Sequence, residues 1–475
     1  MNWKTISLTC GLHLVLTGGA VAQEPGESDR APTEGEEVYG GDYVPTPPPD
    51  PGMPLFAGKP RAGISMSPLL SQLDQEELLK IVEASSAEPS VKALETGDDV
   101  ARGLSAVSAS IPLRKGLESQ LPARPMAPAE FQPEPLDDEQ AAGEMTVHFV
   151  YTGQGDGAIL EFSCGVAVID VGGEFGRQEG ATDGGRLFAE YLDGFFNDRP
   201  QFDRTIDVLF FTHPHADHII GEQDIREWEG EPFKVRNFVD NGHTAESGSA
   251  GRQTRFRDWV AGQGGDYTAV SLDRQVTATG VTNSVIDPLE CENVDPVITA
   301  FWGSQDSFSG DYRNPNNHSL VIRVDFGEAS FLFTGDLEDA GEADLREEFS
   351  GNLEVFDVDV YQVSHHGADR DTSQELLEIM TPRIAVISMG RHEARVRGTA
   401  WDHGHPRSQV VELLAASVTD SRDQSGQFHV FENQETEPVT VEVEKAIYAT
   451  GWEGTLKIAA TSSGTYSIER DGFED

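Results

Sequence analysis

The sequence predicts an α/β fold in which two β-sheets are sandwiched between helices. Short apolar runs typical of buried strands are mixed with segments of helical periodicity along one long stretch, residues 144–432. The run DVLFF at 207–211 is one such strand, because polar residues bound it on both sides. A chain of 475 residues is long enough for one large domain of two or three layers with extensions.

The predicted elements follow one another through this domain. Strands are predicted at 146–151, 158–162, 166–171, 207–211, 297–301, 320–326, 330–334, 358–363 and 384–388. Helices are predicted at 186–196, 373–380 and 408–416. Alternating apolar residues after 432 predict a β-rich C-terminal tail, residues 433–475, as a small addition to the domain.

The first 22 residues resemble an export signal. Lys4 precedes a mostly apolar run at 6–16, and Ala20 and Ala22 form a small-x-small cleavage site. Residues 23–143 are rich in Pro, Gly, Glu and Asp, which predicts an extended segment with one short helix near 67–84. We therefore expect an exported protein, periplasmic or extracellular, without a membrane span in the mature chain.

Acidic residues greatly outnumber basic ones. The chain has 34 Lys and Arg against 82 Asp and Glu, a formal net charge of −48. Such a surface repels polyanions, which disfavours nucleic acid or anionic membranes as partners without excluding a local nucleic-acid site. Two clusters of basic residues are interpreted as solvated faces rather than phosphate clamps, although the second could face the active site. They are Arg252, Arg255 and Arg257, and Arg391, Arg395 and Arg397.

Two cysteines, Cys164 and Cys291, remain after removal of the signal. In an oxidising compartment they can pair, and the sequence leaves a disulfide and two unpaired thiols equally open. Neither cysteine lies in a Cys-x-x-Cys or Cys/His cluster, so a cysteine ligand for a metal is not predicted.

The strongest chemical signal, THPHADH at 212–218, lies directly after a predicted buried strand. It places three imidazoles and one carboxylate in a small space. Imidazole nitrogen suits zinc and similar divalent metals, and carboxylate oxygen completes a mixed site. Four ligands so close together fit two metals better than one, with His213 and His215 on the first and Asp217 and His218 on the second.

This HxHxDH pattern resembles the metallo-β-lactamase superfamily, and further residues extend the resemblance in order. The run FLFTGD at 331–336 resembles the element whose aspartate, here Asp336, bridges the two metals. Asp170 matches the early aspartate that orients the metal-binding loop from behind. The resemblance implies an αββα sandwich with a small C-terminal β extension, and two divalent metal ions, zinc or alternatively manganese.

Within the superfamily, four motifs resemble the ComEC-type branch, known as the C-terminal domain of a DNA-uptake channel and as free-standing exported hydrolases. They are GQGDG at 153–157, NNHSLV at 316–321, VSHHG at 363–367 and HGHP at 403–406. The resemblance implies His366 as a ligand of the second metal. His365 then protonates the leaving group or holds the substrate, and His405 is a rival for either role. Asp217, His365 and His405 are the catalytic candidates.

The remaining ligand of the first metal is open. Many members supply a histidine shortly before the bridging aspartate, where this chain offers His318. His318 is either a ligand or a loop residue that does not coordinate. Asp156, Asn317 and Asp170 are candidates for positions that support the ligands from behind.

Three functions follow from these residues. The first is a secreted metal-dependent hydrolase of phosphodiesters, small or polymeric, that uses a hydroxide held between the metals. The second is a metallo-hydrolase of lactones, thioesters or β-lactams with the same metals. The third is a non-catalytic binding protein of the cell envelope, which the complete set of candidate ligands disfavours.

Overall fold

The computed structural model describes residues 143–473, apart from 175, 177–181, 244–248, 272–275, 306–308, 394 and 435–436. The predicted export signal and the predicted helix near 67–84 lie outside the described residues. Within the described part of the chain, no helix is long and apolar enough to cross a membrane.

Strands and helices alternate through the described chain. The strands are β1 (Glu144–Phe149), β2 (Gly157–Phe162), β3 (Gly165–Val171), β4 (Thr205–Ile206), β5 (Val208–Phe211), β6 (Lys234–Val235), β7 (Asn237–Asp240), β8 (Asp266–Ala269), β9 (Val297–Trp302), β10 (Val321–Phe326), β11 (Ala329–Phe333), β12 (Val360–Gln362), β13 (Ile384–Ile387), β14 (Ser421–Val430), β15 (Val439–Lys445), β16 (Ile447–Ala449), β17 (Leu456–Thr461) and β18 (Tyr466–Arg470). The helices are α1 (Gly184–Asn197), α2 (Ala216–Ile219), α3 (Glu222–Arg226), α4 (Ala250–Gly262), α5 (Asp339–Glu348), α6 (Gln374–Met380), α7 (Ala400–His403), α8 (Ser408–Ser417) and α9 (Thr450–Glu453).

The strands form two large sheets. One has the order β18-β17-β1-β2-β3-β5-β7-β8, and the other has the order β16-β13-β12-β11-β10-β9. Each contains a parallel run, β3-β5-β7-β8 in the first and β11-β12-β13-β16 in the second. In a parallel run the carboxyl ends of the strands meet at one edge of the sheet. Asp170 lies near the end of β3, and the loops after β5, β11 and β12 carry the predicted metal ligands, so these edges position the site.

Strand β3 shows why the apolar runs are continuous. Ala167 and Ile169 pack in the cluster between the sheets, whereas Val166 and Val168 pack in a second cluster with Phe188 of α1. Both faces of the strand are therefore buried, as expected for a parallel strand covered by a second sheet on one side and by helices on the other. This packing confirms the predicted α/β sandwich.

Every predicted strand and helix between residues 146 and 416 overlaps an observed one. Helices α4 and α5 were not predicted, because their sequences are mostly polar and carry a weak apolar stripe. The strands after residue 432 are present but do not form an added tail. Strand β15 pairs with β14 across the predicted boundary, β16 joins the second sheet, and β17 and β18 continue the first sheet beyond β1.

The two cysteines left open by the sequence form a disulfide. Cys164, in the turn between β2 and β3, bonds to Cys291, 127 residues later. The bridge ties this hairpin to the segment that precedes β9, a contact that sequence spacing alone does not predict.

Candidate metal centre

Asp170 organises the loop that follows β5. Its side chain is buried, and it accepts hydrogen bonds from the Thr212 backbone N–H at 2.8 Å and from the Thr212 hydroxyl at 2.6 Å. His218 Nδ1 donates to the same carboxylate at 2.8 Å. Because Nδ1 carries this bond, the lone pair of His218 Nε2 points away from Asp170, as in metal-ligating histidines.

Asp336, which follows β11, lies between two groups of side chains. Its Oδ1 is 3.0 Å from His218 Nε2 and 3.6 Å from His366 Nε2. Its Oδ2 is 3.7 Å from His213 Nε2. The two groups that can hold a metal ion are Asp217, His218, Asp336 and His366, and His213, His215 and Asp336. The carboxylate thus presents one oxygen to each group, which is the placement of a bridging ligand.

The atoms at the centre of this cluster fit divalent cations. Asp336 Oδ1, His218 Nε2 and His366 Nε2 are buried atoms without a hydrogen-bond partner in the described structure, although the shortest contact among them is 3.0 Å. Burial lowers the pKa of His213 and His215, which keeps their imidazoles neutral. Burial opposes ionisation of Asp336, but the charges of His218 and His366 hold its pKa well below the ordinary value. Neutral His213 and His215 and an ionised Asp336 are in the forms that bind metal. Burial lowers the pKa of His218 and His366, but Asp336 and other nearby carboxylates raise it above the ordinary value, so these two rings have to release a proton when metal binds.

His365 and His366 follow β12 in a sharply bent backbone. Both have positive φ, 49° and 55°, a conformation that is costly for residues with a side chain. Because of this bend, the His365 and His366 rings point in different directions. His366 donates from Nδ1 to the Ser388 carbonyl at 2.7 Å and faces the second metal group. His365 stays one-quarter exposed, with Nδ1 bonded to Asp371 at 2.6 Å and Nε2 3.7 Å from Asp336 Oδ2.

His405 lies beside this pair. Its ring centre is 5.8 Å from that of His365 and 6.2 Å from that of His366. The side-chain amide of Gln154, in the GQGDG loop, is 3.2 Å from His405 Nδ1. Burial, reinforced by the nearby His403, holds the pKa of His405 well below its ordinary value. The structure therefore brings His405 to the site as a neutral side chain outside both metal groups.

Two of the candidate residues lie away from the metal groups. His318 Nδ1 accepts a hydrogen bond from the Gln305 N–H at 3.0 Å, and Nε2 donates to the Tyr312 carbonyl at 2.9 Å. Both ring nitrogens are thus in use, so the structure places His318 as a residue that does not coordinate. Asn317 accepts from the Gly341 N–H at 2.8 Å and braces the start of α5.

Two residues that the sequence did not single out support His365. Asp371 bonds its Nδ1, and Glu338 lies close enough for its charge to act on the ring. The amide groups of Asn316 and Asn317 each donate to Glu338 at 3.0 Å, which explains the polar run before β10. Burial works against protonation of His365, but Asp336 and Asp371 together raise its pKa to about 10 in the metal-free protein.

Most of the arginines in the two basic clusters lie beside acidic side chains. Both Arg252 and Arg255 lie 3.4 Å from the buried Glu222. Three further arginines are paired, as Arg257 with Asp240, Arg391 with Glu393 and Arg395 with Glu437. Five of the six arginines thus lie beside an acidic side chain, and Arg397 is exposed.

Comparison with known proteins supports the same family. The model of the "Metallo-beta-lactamase superfamily" matches residues 296–391. ComE operon protein 3 of Bacillus subtilis is 34% identical over 104 residues, which are 22% of this chain and 12% of that protein. Recombination protein 2 of Haemophilus influenzae is 44% identical over 120 residues, 25% of this chain and 14% of that protein. Competence protein ComA of Neisseria gonorrhoeae is 33% identical over 22% of this chain and 15% of its own length.

The chain thus aligns with less than one sixth of the length of each of these relatives. Among solved structures, CmlA, a diiron β-hydroxylase from Streptomyces venezuelae, is 18% identical, with a TM-score of 0.33, over 59% of this chain and 54% of that chain. Human tRNase Z, short form, is 15% identical, with a TM-score of 0.28, over 50% of this chain and 90% of that chain. Over residues 296–391 the chain is thus similar to the metallo-β-lactamase superfamily, and its partial matches to the competence and recombination proteins agree with the ComEC-type resemblance of its motifs.

Proposed function

We propose that the protein is an exported phosphodiesterase that depends on two metal ions. The observation that carries this proposal is the Asp336 carboxylate, whose oxygens face two groups of histidine and aspartate side chains. Hydrolysis at phosphorus uses such a pair of cations, about 3.5–4 Å apart. The similarity to ComEC-type proteins favours a phosphodiester over a carboxylic substrate.

The side chains at the site have different roles in the proposed reaction. Bound divalent cations would lower the pKa of a coordinated water and stabilise negative charge on the substrate. His365 is about one-quarter exposed, whereas His366 and His405 are buried, and its Nε2 can deliver a proton to the leaving oxygen. Asp371 holds the opposite nitrogen, so the ring keeps Nε2 turned toward Asp336. His405 and Gln154 close the side of the site next to His366.

Charge and cysteine chemistry support the rest of the proposal. A net charge of −48 repels long polyanions, so small or envelope-derived phosphodiesters suit the protein better than free nucleic acid. The Cys164–Cys291 disulfide is of the kind that persists in oxidising compartments, and it agrees with the predicted export signal.

The test is hydrolysis of bis(p-nitrophenyl) phosphate by the purified protein in the presence of zinc or manganese. We expect turnover that requires added metal and disappears in a His215→Ala variant, because His215 belongs to the first metal group. Turnover of a lactone, thioester or β-lactam, with none of the phosphodiester, would replace the proposal by the carboxylic hydrolase. Metal binding without hydrolysis of any of these would favour the binding protein.

The role of His365 predicts a dependence on the leaving group. In a His365→Gln variant, we expect kcat/KM for an alkyl phosphodiester to fall about 10²–10⁴-fold, the usual contribution of a general acid. For the p-nitrophenyl ester the loss should be less than about tenfold, because that leaving group departs without a proton. Steady-state kinetics on the two substrates, with metal content measured in parallel, checks this.

His392→Gln is the matched control, because His392 is exposed to a similar extent, lies outside the site and stacks on His429 at 3.8 Å. It should leave both rates unchanged. Equal losses on both substrates in His365→Gln, or a loss of bound metal, would show that His365 acts as a ligand and not as an acid.

A further inference from the structure

The carboxylate of Asp156 is buried without the hydrogen bonds that normally accompany such burial. Its side chain is 2% exposed, and neither Oδ1 nor Oδ2 has a hydrogen-bond partner among the described residues. Its backbone is firmly held, since its N–H donates to the Asp217 carbonyl at 3.0 Å. Burying an unpaired carboxylate costs several kcal/mol, a cost that a positive charge bound close by would offset.

Asp156 lies behind the two imidazoles of the second metal group. Its Oδ2 is 3.6 Å from His218 Nδ1, and its Oδ1 is 3.8 Å from His366 Nδ1. Both rings direct the opposite nitrogen, Nε2, toward Asp336 Oδ1, where the second metal would bind. One carboxylate therefore stands behind two ligands of the same metal.

The tautomers of these rings are already fixed by closer acceptors. His218 Nδ1 donates to Asp170 at 2.8 Å, and His366 Nδ1 donates to the Ser388 carbonyl at 2.7 Å. Asp156 is too distant from either nitrogen to replace these bonds. Its contribution is therefore its negative charge, which in a buried setting acts strongly on both imidazoles.

The first metal group has no equivalent among the described residues. Within 4 Å, Asp336 is the only carboxylate that the described residues place beside His213 or His215, and the group at His213 Nδ1 is the neutral hydroxyl of Thr212, at 3.2 Å. The second group, in contrast, has both Asp156 and Asp170 within 4.8 Å of a His218 nitrogen. The two positions thus differ in the negative charge placed behind their histidines.

We propose that Asp156 is the positioning residue that sets the affinity of the second metal position, through its charge on His218 and His366. The inference rests on the two-metal site of the proposed function, but not on the identity of the substrate. According to this inference, the metal affinity of the second position depends on Asp156, whereas the metal affinity of the first position does not. Loss of a carboxylate behind a ligand typically lowers metal affinity about 10–100-fold.

The test uses an Asp156→Asn variant, with zinc as the metal and no substrate. Protein loaded with zinc is dialysed against increasing concentrations of a chelator, and the bound zinc per chain is measured by mass spectrometry. We expect one of the two zinc ions to leave the variant at a free zinc concentration about 10–100-fold higher than in the wild type. The other zinc should leave both proteins at the same concentration.

Thermal melting of the metal-free proteins separates this role from a purely structural one. Asparagine matches aspartate in shape, so the metal-free variant should keep the fold and a single cooperative melting transition. The rise in melting temperature on adding zinc should be smaller in the variant, because ligand binding stabilises in proportion to affinity.

Asp207→Asn is the matched control. Asp207 is also buried, but it binds the Val166 N–H at 2.9 Å and Arg236 at 2.6 Å, outside the metal groups. This variant should melt lower without metal and keep both zinc affinities. Unchanged zinc release by Asp156→Asn, or an equal shift in the release of both zinc ions, would overturn the inference. A wild-type protein that binds fewer than two zinc ions would overturn the two-metal function and this inference together.

Discussion

An Asp336→Asn variant is expected to lose at least one of the two metals and nearly all activity. Asparagine offers one oxygen and one NH₂ group, and the latter cannot act as a ligand. One of the two metal groups that share Asp336 then loses its bridging atom. We expect kcat/KM to fall more than about 100-fold, because even the loss of a residue that only supports a ligand costs up to this amount.

Metal content and steady-state kinetics on the same preparations measure the outcome. Asp359→Asn serves as the control, because Asp359 precedes β12 at the opposite end of the strand and bonds Tyr466 and Ser330. That variant should keep both metals. Two tightly bound metals and ordinary activity in Asp336→Asn would show that the carboxylate does not bridge.

A Gly172→Ala variant is expected to disable the site without removing any ligand. A Cβ atom at this position would lie 1.5 Å from the Asp217 carbonyl oxygen and 2.4 Å from His218 Cα. These are backbone atoms, so the loop that carries the candidate ligands has to move. Displacement of a catalytic group by about 1 Å costs about 10²-fold in rate, and the overpacking costs about 1–3 kcal/mol of stability.

We expect this variant to retain the fold, to melt at a lower temperature and to bind the second metal weakly. Gly194→Ala is the matched control, because a Cβ there, in α1, meets nothing within 4 Å. It should keep full activity and gain up to about 1 kcal/mol of stability from the higher helix propensity of alanine. Full metal content and activity in Gly172→Ala would mean that the loop adapts to the extra atom.

The candidate ligands could be predicted from the sequence because they are of residue types that bind metal and lie in recognisable short motifs. His213, His215, Asp217 and His218 stand within six residues after the end of one strand. Asp336 follows the apolar strand β11, in a run that resembles a family motif. Metal chemistry requires this combination of residue types, and the edge of a parallel sheet brings the ends of such strands together.

The residues around the site could not be predicted from the sequence, because their positions depend on contacts between segments far apart in the chain. His318 lies in a motif beside the site, yet its ring turns to two backbone groups. Glu338 and Asp371 have no motif of their own and become visible only through their contacts with Asn317 and His365. Short-range patterns carry no information about the direction in which a buried polar side chain points.

The sequence by itself determined the class of fold, most of the strands of the two sheets and the four candidate ligands of the HxHxDH run, since each depends on local periodicity or spacing. The family resemblance added Asp336 and His366. The tertiary structure alone decided two other features: the pairing of Cys164 with Cys291 and the insertion of the last strands into both sheets. It also showed which two histidines Asp156, already a candidate for a supporting position, lies beside. These features arise from packing between residues far apart in the chain, where burial and the need to satisfy polar atoms select one arrangement.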